Sequence, residues 1–334
     1  MKKYKICKIL LVILAIFLCV AFYELLGICV AYKKQPEVSN TTKKETKNGS
    51  WNECSENTER AVIIEKNPEA LLQRVRLIKN AQKEIILSTF AFQSDESGKL
   101  ILGALHDAAD RGVHIRLLVD GMESWIDMEG NPYFYGLSSH ENVEIKLYNK
   151  ANPLKPWKMM GRMHDKYLIA DRKRYILGGR NTYNYFLGDF PGHKDYDRDV
   201  LVVCDEPKKE NSVNQLLEYF ETIWEQEDSG YFHDNKKLAN RKSVKNAVLE
   251  LQNGYQKYFE ENKERICDTD YTDETFETEK IALVSNPIHT GPKEPVVWYQ
   301  LGELMKNAKE RVKIHTPYII CNDMMYNTWK EIAE

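Results

Sequence analysis

From Ile9 to Tyr32 the chain is apolar at almost every position, with Glu24 as its only charge. A run of this length can cross a bilayer as a helix. It is apolar on every face, whereas the chain's mean hydropathy is −0.54, so it does not read as an ordinary core helix. Residues 9–32 are therefore expected to be a single membrane anchor, preceded by a short basic N-terminus over 1–8. A cleaved signal peptide is the competing reading; the length of the run and the lack of a clear A-x-A site weigh against it. Residues 33–59 are polar, rich in Lys, Asn, Thr and Ser, and without apolar period, which predicts a linker.

Beyond residue 60 the pattern alternates. AVIIE suggests a strand, Asn67-Pro68 a helix cap and first turn before EALLQRVRLIKNAQ, EIILSTFAF a buried strand, KLILGALHDAADRG a helix ending at glycine, and VHIRLLVDG another strand. Strand and helix in turn predict an α/β fold with part of its sheet parallel. NVEIKLYN, KYLIA, RYILGG and DVLVV read as further strands. SVNQLLEYFETIWEQ reads as an amphipathic helix with Leu216, Phe220 and Trp224 on a core face. Residues 229–280 are charged and weakly patterned, an expected irregular connection between a first domain over 60–228 and a further unit beginning at 281.

An internal match supports that further unit. KNAQKEIILSTFA from Lys79 aligns without a gap to KNAKERVKIHTPY from Lys306, an offset of 227. Both segments follow a helical stretch, and both are expected to form a strand. Residues 281–334 thus read as the opening of a second copy of the first unit.

Charge narrows the function. There are 47 basic and 50 acidic residues, a net charge of −3, which lacks the basic balance of a dedicated nucleic-acid binder; no nucleic-acid partner is expected. Lysines flank the apolar run on both sides, so the side on which the remainder lies stays open. The cysteines show no metal-type spacing, and neither a nucleotide loop nor a metal cluster implies a cofactor.

The densest chemistry is RMHDKYLIADRKRYILGGRN, residues 162–181. On an extended segment His164 and Lys166 share a side while Asp165 points to the other. An imidazole beside a fixed ammonium suits attack on a phosphodiester: the lysine offsets the anionic charge and the histidine can bond to phosphorus. Gly179, after Gly178, would let backbone approach the phosphate, and the Asn181 amide could donate to a non-bridging oxygen. Each residue alone also has an ordinary reading, as surface histidine, solvated lysine, turn aspartate or bend glycine. A metal site built on His164, Asp165 and Asp171 has no familiar spacing.

HxKxxxxD followed by GGRN resembles the HKD signature of the phospholipase D superfamily. AADRGVHIRLLVDG, NVEIKLYN, GGRNTYNYF, DRDVLVV and the FETIWE helix are similar to landmarks of its cardiolipin synthase branch. The resemblance covers about residues 61–224 and resumes near Ile281. It implies a mixed sheet flanked by helices, with His164 as nucleophile or general acid and Lys166 and Asn181 holding phosphate. Asp171, the motif's last position, is counted with the catalytic set but expected to organise the loop. Asp199, or else Asp197, would orient the histidine. Members generally pair two such motifs; adding 227 to 164 places a second histidine near position 391, beyond residue 334. A first repeat complete and a second only begun is the corresponding expectation, with a homodimer as another source of the second histidine. The implied function is a single-pass, cell-membrane phosphatidyltransferase making cardiolipin through a phosphatidyl-histidine. Hydrolytic phospholipase D, a nuclease and an inactive scaffold are the alternatives.

Overall fold

The computed structural model describes residues 2–49, 59–233, 235–316 and 318–334. Its helices are α1 (Lys2–Ala31), α2 (Asn40–Lys47), α3 (Asn67–Asn80), α4 (Glu96–Asp110), α5 (Glu123–Asp127), α6 (Pro132–Ser138), α7 (Ser212–Trp224), α8 (Lys242–Cys267), α9 (Val296–Lys306) and α10 (Asp323–Ala333). The strands are β1 (Arg60–Ile64), β2 (Glu84–Thr89), β3 (His114–Asp120), β4 (Val143–Tyr148), β5 (Tyr167–Ala170), β6 (Arg174–Gly178), β7 (Asp199–Val203), β8 (Ser229–Tyr231) and β9 (Phe276–Glu277).

These strands form one mixed sheet in the order β8-β4-β3-β2-β5-β6-β7-β1-β9. β2, β3 and β4 run parallel, joined through helices, and the β5–β6–β7 meander is antiparallel. Side chains alternate across the sheet as the pleat requires. Ile85, Leu87, Ile115, Leu117 and Leu168 enter the core beneath α3, α4, α6 and α8. Ile86, Leu118, Tyr167 and Ile169 pack on the opposite face with Leu216, Phe220 and Trp224 of α7. Burial on both faces explains why the central strands read as continuous apolar runs. Gly112, with φ of 89°, takes the left-handed turn that stops α4.

Three expectations are corrected. Residues 40–47, expected as linker, form α2, capped by Ser39 accepting from the Thr42 amide at 3.1 Å and held by Thr42 Oγ1 donating to Glu294 Oε1 at 2.7 Å. Residues 50–58 of that expected linker lie outside the described residues. Within 229–280, expected as irregular, α8 buries Val244, Ala247, Leu251, Tyr255, Phe259 and Ile266, a stripe at helical spacing that its lysines and glutamates obscured. The strand expected over 311–320 does not form: α9 ends at Lys306 as α3 ends at Asn80, but the segment after it is exposed and pairs with no strand among the described residues. Without a neighbour to bond its amides, an apolar run has no ladder to join. The internal match is therefore structural at the helix end and not at the strand.

α1 is one long apolar helix, exposed along most of its length, and its Tyr4–Ala31 segment is long enough to cross a membrane. Among the described residues its C-terminal turns touch the rest through Tyr23 and Gly27, and Tyr32, just past its end, donates its hydroxyl to the Thr290 carbonyl at 2.7 Å.

Candidate active site

β5 begins at Tyr167, so His164, Asp165 and Lys166 occupy the extended approach to it rather than the strand itself. The alternation nevertheless runs through them. Asp165 turns to the α7 face, where the Tyr219 hydroxyl donates to Oδ2 at 2.7 Å. His164 and Lys166 turn the other way and meet. Lys166 Nζ donates to the His164 carbonyl at 2.7 Å and stands 3.1 Å from Nδ1 of the imidazole. His164 is exposed, with the Phe90 ring 4.5 Å away between centroids and shielding one side.

Asp120, which ends β3 fully buried, holds this approach. It accepts from the Met122 amide at 2.9 Å, from Arg162 Nη1 at 3.0 Å and from the Met163 amide at 3.0 Å. The backbone entering His164 is thus fixed from the neighbouring parallel strand. From the sequence, VDG marked only a strand end; an aspartate closing an apolar strand just before glycine was the available signal.

The GGRN segment is brought to the site by β6 and by a parallel bridge between Phe92 and Thr182. Gly178 N–H donates to the Lys166 carbonyl at 3.1 Å. Asn181 is buried and accepts from the Ala91 amide through Oδ1 at 3.2 Å, which ties it to the residue after Phe90. Arg180 is a clamp rather than a ligand group, donating to Asn67 Oδ1 and to the Ile64 and Glu65 carbonyls.

The carboxylates separate into distinct tasks. Asp199 is fully buried, paired with Arg74 at 2.8 Å and with Arg180 at 3.3 Å; its charge answers two guanidiniums, and the role expected for it toward His164 does not appear. Asp165 and, after it, Asp197 are the carboxylates whose charges act on Lys166. Both glycines make room for these acids: a Cβ on Gly178 would collide with the Asp199 carboxylate, and one on Gly179 with that of Asp197. The close approach expected at Gly179 is thus made by protein carboxylate. Asp171 sits at the far end of β5, accepting from the backbone amides of Gln82, Lys83 and Glu84 at 2.8, 2.8 and 3.1 Å. It fixes the α3–β2 turn, at the opposite end of β5 from His164.

Electrostatics favour chemistry at this pair. Burial lowers the Lys166 ammonium to about 8, with Asp165 and Asp197 opposing. Desolvation first, and then the Lys166 charge, push His164 below its ordinary value, so the imidazole is neutral near pH 7. On the other face Asp165 is pushed up by burial, against Tyr219, Lys166 and Lys293. It borders a cavity of about 390 Å³ whose lining also includes His164, Lys166, Tyr148, Tyr219 and Lys293.

Residues 74–224 match a family model described as "Cardiolipin synthase, PLD-like domain". An uncharacterized protein of Helicobacter pylori (strain ATCC 700392 / 26695) is 28% identical over 298 residues, covering 81% of this chain and 56% of its own length. Cardiolipin synthase C of Escherichia coli K12 is 28% identical over 171 residues, 47% of this chain and 34% of its own. The solved phosphatidylserine synthase of Haemophilus influenzae is similar at 17% identity with a TM-score of 0.42, over 66% of this chain and 48% of that one. The chain spans about half the length of the Helicobacter relatives it matches.

Proposed function

Residues 74–224 are a phospholipase D-like domain with relatives among the cardiolipin synthases, and from that premise we propose that the protein is a membrane-anchored phosphatidyltransferase of cardiolipin synthase type. The observation that carries this reading is the His164–Lys166 pair: a neutral imidazole 3.1 Å from an ammonium whose pKa burial has lowered. A phospholipid phosphodiester draws Lys166 from Nδ1 to a non-bridging oxygen, where its charge offsets the anion. With Nδ1 freed, the imidazole releases its Nε2 proton to water and takes one from water at Nδ1, so that Nε2 holds the lone pair. Nε2 attacks phosphorus, the N–P bond forms and the bond to the leaving alcohol breaks. That alcohol takes its proton from a general acid, a second imidazolium from a further motif or from a second copy of the chain. An incoming alcohol, such as the glycerol end of phosphatidylglycerol, then gives its proton to that second, now neutral, imidazole; its oxygen bonds to phosphorus and the N–P bond to His164 breaks. Asn181 contributes an amide beside the same phosphate, and Asp197 supports the charge on Lys166. α1 anchors this catalytic domain in the cell membrane.

The test is lipid mass spectrometry on the full-length protein in phosphatidylglycerol vesicles. Cardiolipin is the expected product; phosphatidic acid alone would mean hydrolysis and overturn the transferase reading. Loss of the nucleophile in His164→Ala should lower turnover by about 10⁶-fold, below detection, with far-UV circular dichroism unchanged. Turnover surviving that substitution would remove His164 from the mechanism.

A further inference from the structure

The loop over 151–160 leads directly into the site and is apolar where a soluble loop would be polar. Leu154 is 77% exposed, Trp157 45% and Met160 59%. It is not a loose strand of chain. Asn149, at φ of 49°, closes its neck by donating to the Lys158 and Gly161 carbonyls at 2.7 and 2.9 Å, and Lys158 is paired with Asp228 at 2.6 Å. A built loop that exposes leucine, tryptophan and methionine together has a partner surface.

Its contact with α1 identifies that surface. Tyr23 donates its hydroxyl to the Leu154 carbonyl at 3.2 Å. Four residues on, Gly27 lets the Pro156 ring lie where any side chain would collide. Glu24, between them, has its carboxylate oxygens buried. A crossing of about 20 residues counted from Ile9 ends at Ile28, so Tyr23 and Gly27 fall about 8 and 2 Å inside its end at 1.5 Å per residue. The loop that touches them therefore sits at the hydrocarbon boundary.

We propose that residues 151–160 form a second membrane contact, inserted into the interface beside α1, which holds the His164 site at the level of lipid headgroups. This rests on the reading of α1 as a membrane anchor. Leu154, Trp157 and Met160 enter the acyl boundary, the depth to which interfacial apolar faces are buried, and Trp157 takes the place typical of that side chain. Lys155, exposed between them, extends to anionic headgroups. His164 follows Met160 by four residues, at most about 14 Å of chain. Asp120 and Asn149 fix the intervening backbone, so the depth of the loop sets the height of the imidazole.

Photo-crosslinking of the full chain tests this in vesicles of phosphatidylethanolamine and phosphatidylglycerol. The photoreactive residue is introduced by Leu154→p-benzoylphenylalanine. Leu18→p-benzoylphenylalanine, within α1, reports the anchor, and Leu249→p-benzoylphenylalanine, exposed on α8, reports background. Lipid adducts identified by mass spectrometry should form at position 154 to an extent comparable with position 18, and at least tenfold above position 249. Labelling at 18 with 154 at the level of 249 overturns the loop contact and leaves the anchor intact. No labelling at 18 overturns the anchor reading, and with it this proposal. Crosslinks from 154 to a second copy of the chain, in place of lipid, overturn the assignment of the bilayer as the partner.

Discussion

Asp199→Asn separates a structural carboxylate from a catalytic one. The substitution keeps shape and volume, so no cavity confounds it, but it leaves Arg74 and Arg180 facing each other in the core without the charge that now bridges them at 2.8 and 3.3 Å. All three side chains are buried, so solvent screens little of the loss. Removing one partner of a buried ion pair typically costs 3–5 kcal/mol, because the remaining charge stays desolvated. With a urea slope of about 3 kcal/mol/M for a protein of this size, the midpoint should fall by about 1–1.7 M. The assay is urea unfolding followed by circular dichroism in detergent. Arg74→Met in the same chain should recover part of that loss, since it removes one orphaned charge; the two changes should therefore be non-additive by more than 0.5 kcal/mol or so. A midpoint shift under about 0.3 M, with catalysis nonetheless lost, would refute the structural assignment and return Asp199 to a role toward His164.

Lys166→Met should stabilise the protein while destroying its activity. The folded-state pKa is about 8 against an ordinary 10.5, so below pH 8 the fold carries a desolvated ammonium at a cost of up to about 3 kcal/mol. Between pH 8 and 10.5 the folded lysine is neutral while the unfolded one is still charged, so the gain from Lys166→Met, measured by thermal unfolding across pH, should shrink over that window; a gain independent of pH would contradict the cause given. Tyr219→Phe removes the hydroxyl bonded to Asp165 and should cost roughly 1–3 kcal/mol at pH 7. Burial raises Asp165 above the ordinary aspartate value of 3.8, so denaturant titration should show that loss fading as pH falls toward 3.8 through the raised value; an equal loss at pH 3 would mean packing, not charge, is at stake.

Much of the fold was legible because its signals are local. The strands from Ile85 to Val203 are buried on both faces, and their apolar runs stand out against flanking glycine, proline and aspartate. Gly112 and Pro68 mark helix ends through constraints that act within one residue. What escaped reading depends on partners distant in sequence. α2 has no apolar stripe and is held through Glu294, over two hundred residues away. α8 carries a stripe diluted by charge, and only its seat against α3, α4 and α6 reveals which side matters. The 311–320 segment looks like β2 in sequence, yet a strand is a relation between two segments, and its composition says nothing of whether the other is present.

The same division runs through the site. That His164 and Lys166 share a side follows from two-residue periodicity, and the structure brings them to 3.1 Å. Which carboxylate serves them does not follow, because two-residue periodicity would put Asp197 and Asp199 on one side, and only Asp199 lies in β7 while Asp197 precedes it. Asp199 faces α3, where Arg74 awaits, and the fold binds it there with Arg180. Asp197 adds to the action of Asp165 on Lys166, and Gly179 keeps the space open for its carboxylate. The motif's Gly-Gly is thereby explained from within the protein: each glycine lacks the side chain that would displace a carboxylate, one holding the core together and one supporting a lysine that burial has lowered toward neutrality. Placing an alanine at either position tests the two halves separately. Gly178→Ala should destabilise in the manner of Asp199→Asn, because it pushes on the same ion pair. Gly179→Ala displaces Asp197 and should lower the Lys166 pKa further, shifting the alkaline limb of the pH–rate profile to lower pH. An alkaline limb that stays in place would separate Asp197 from Lys166.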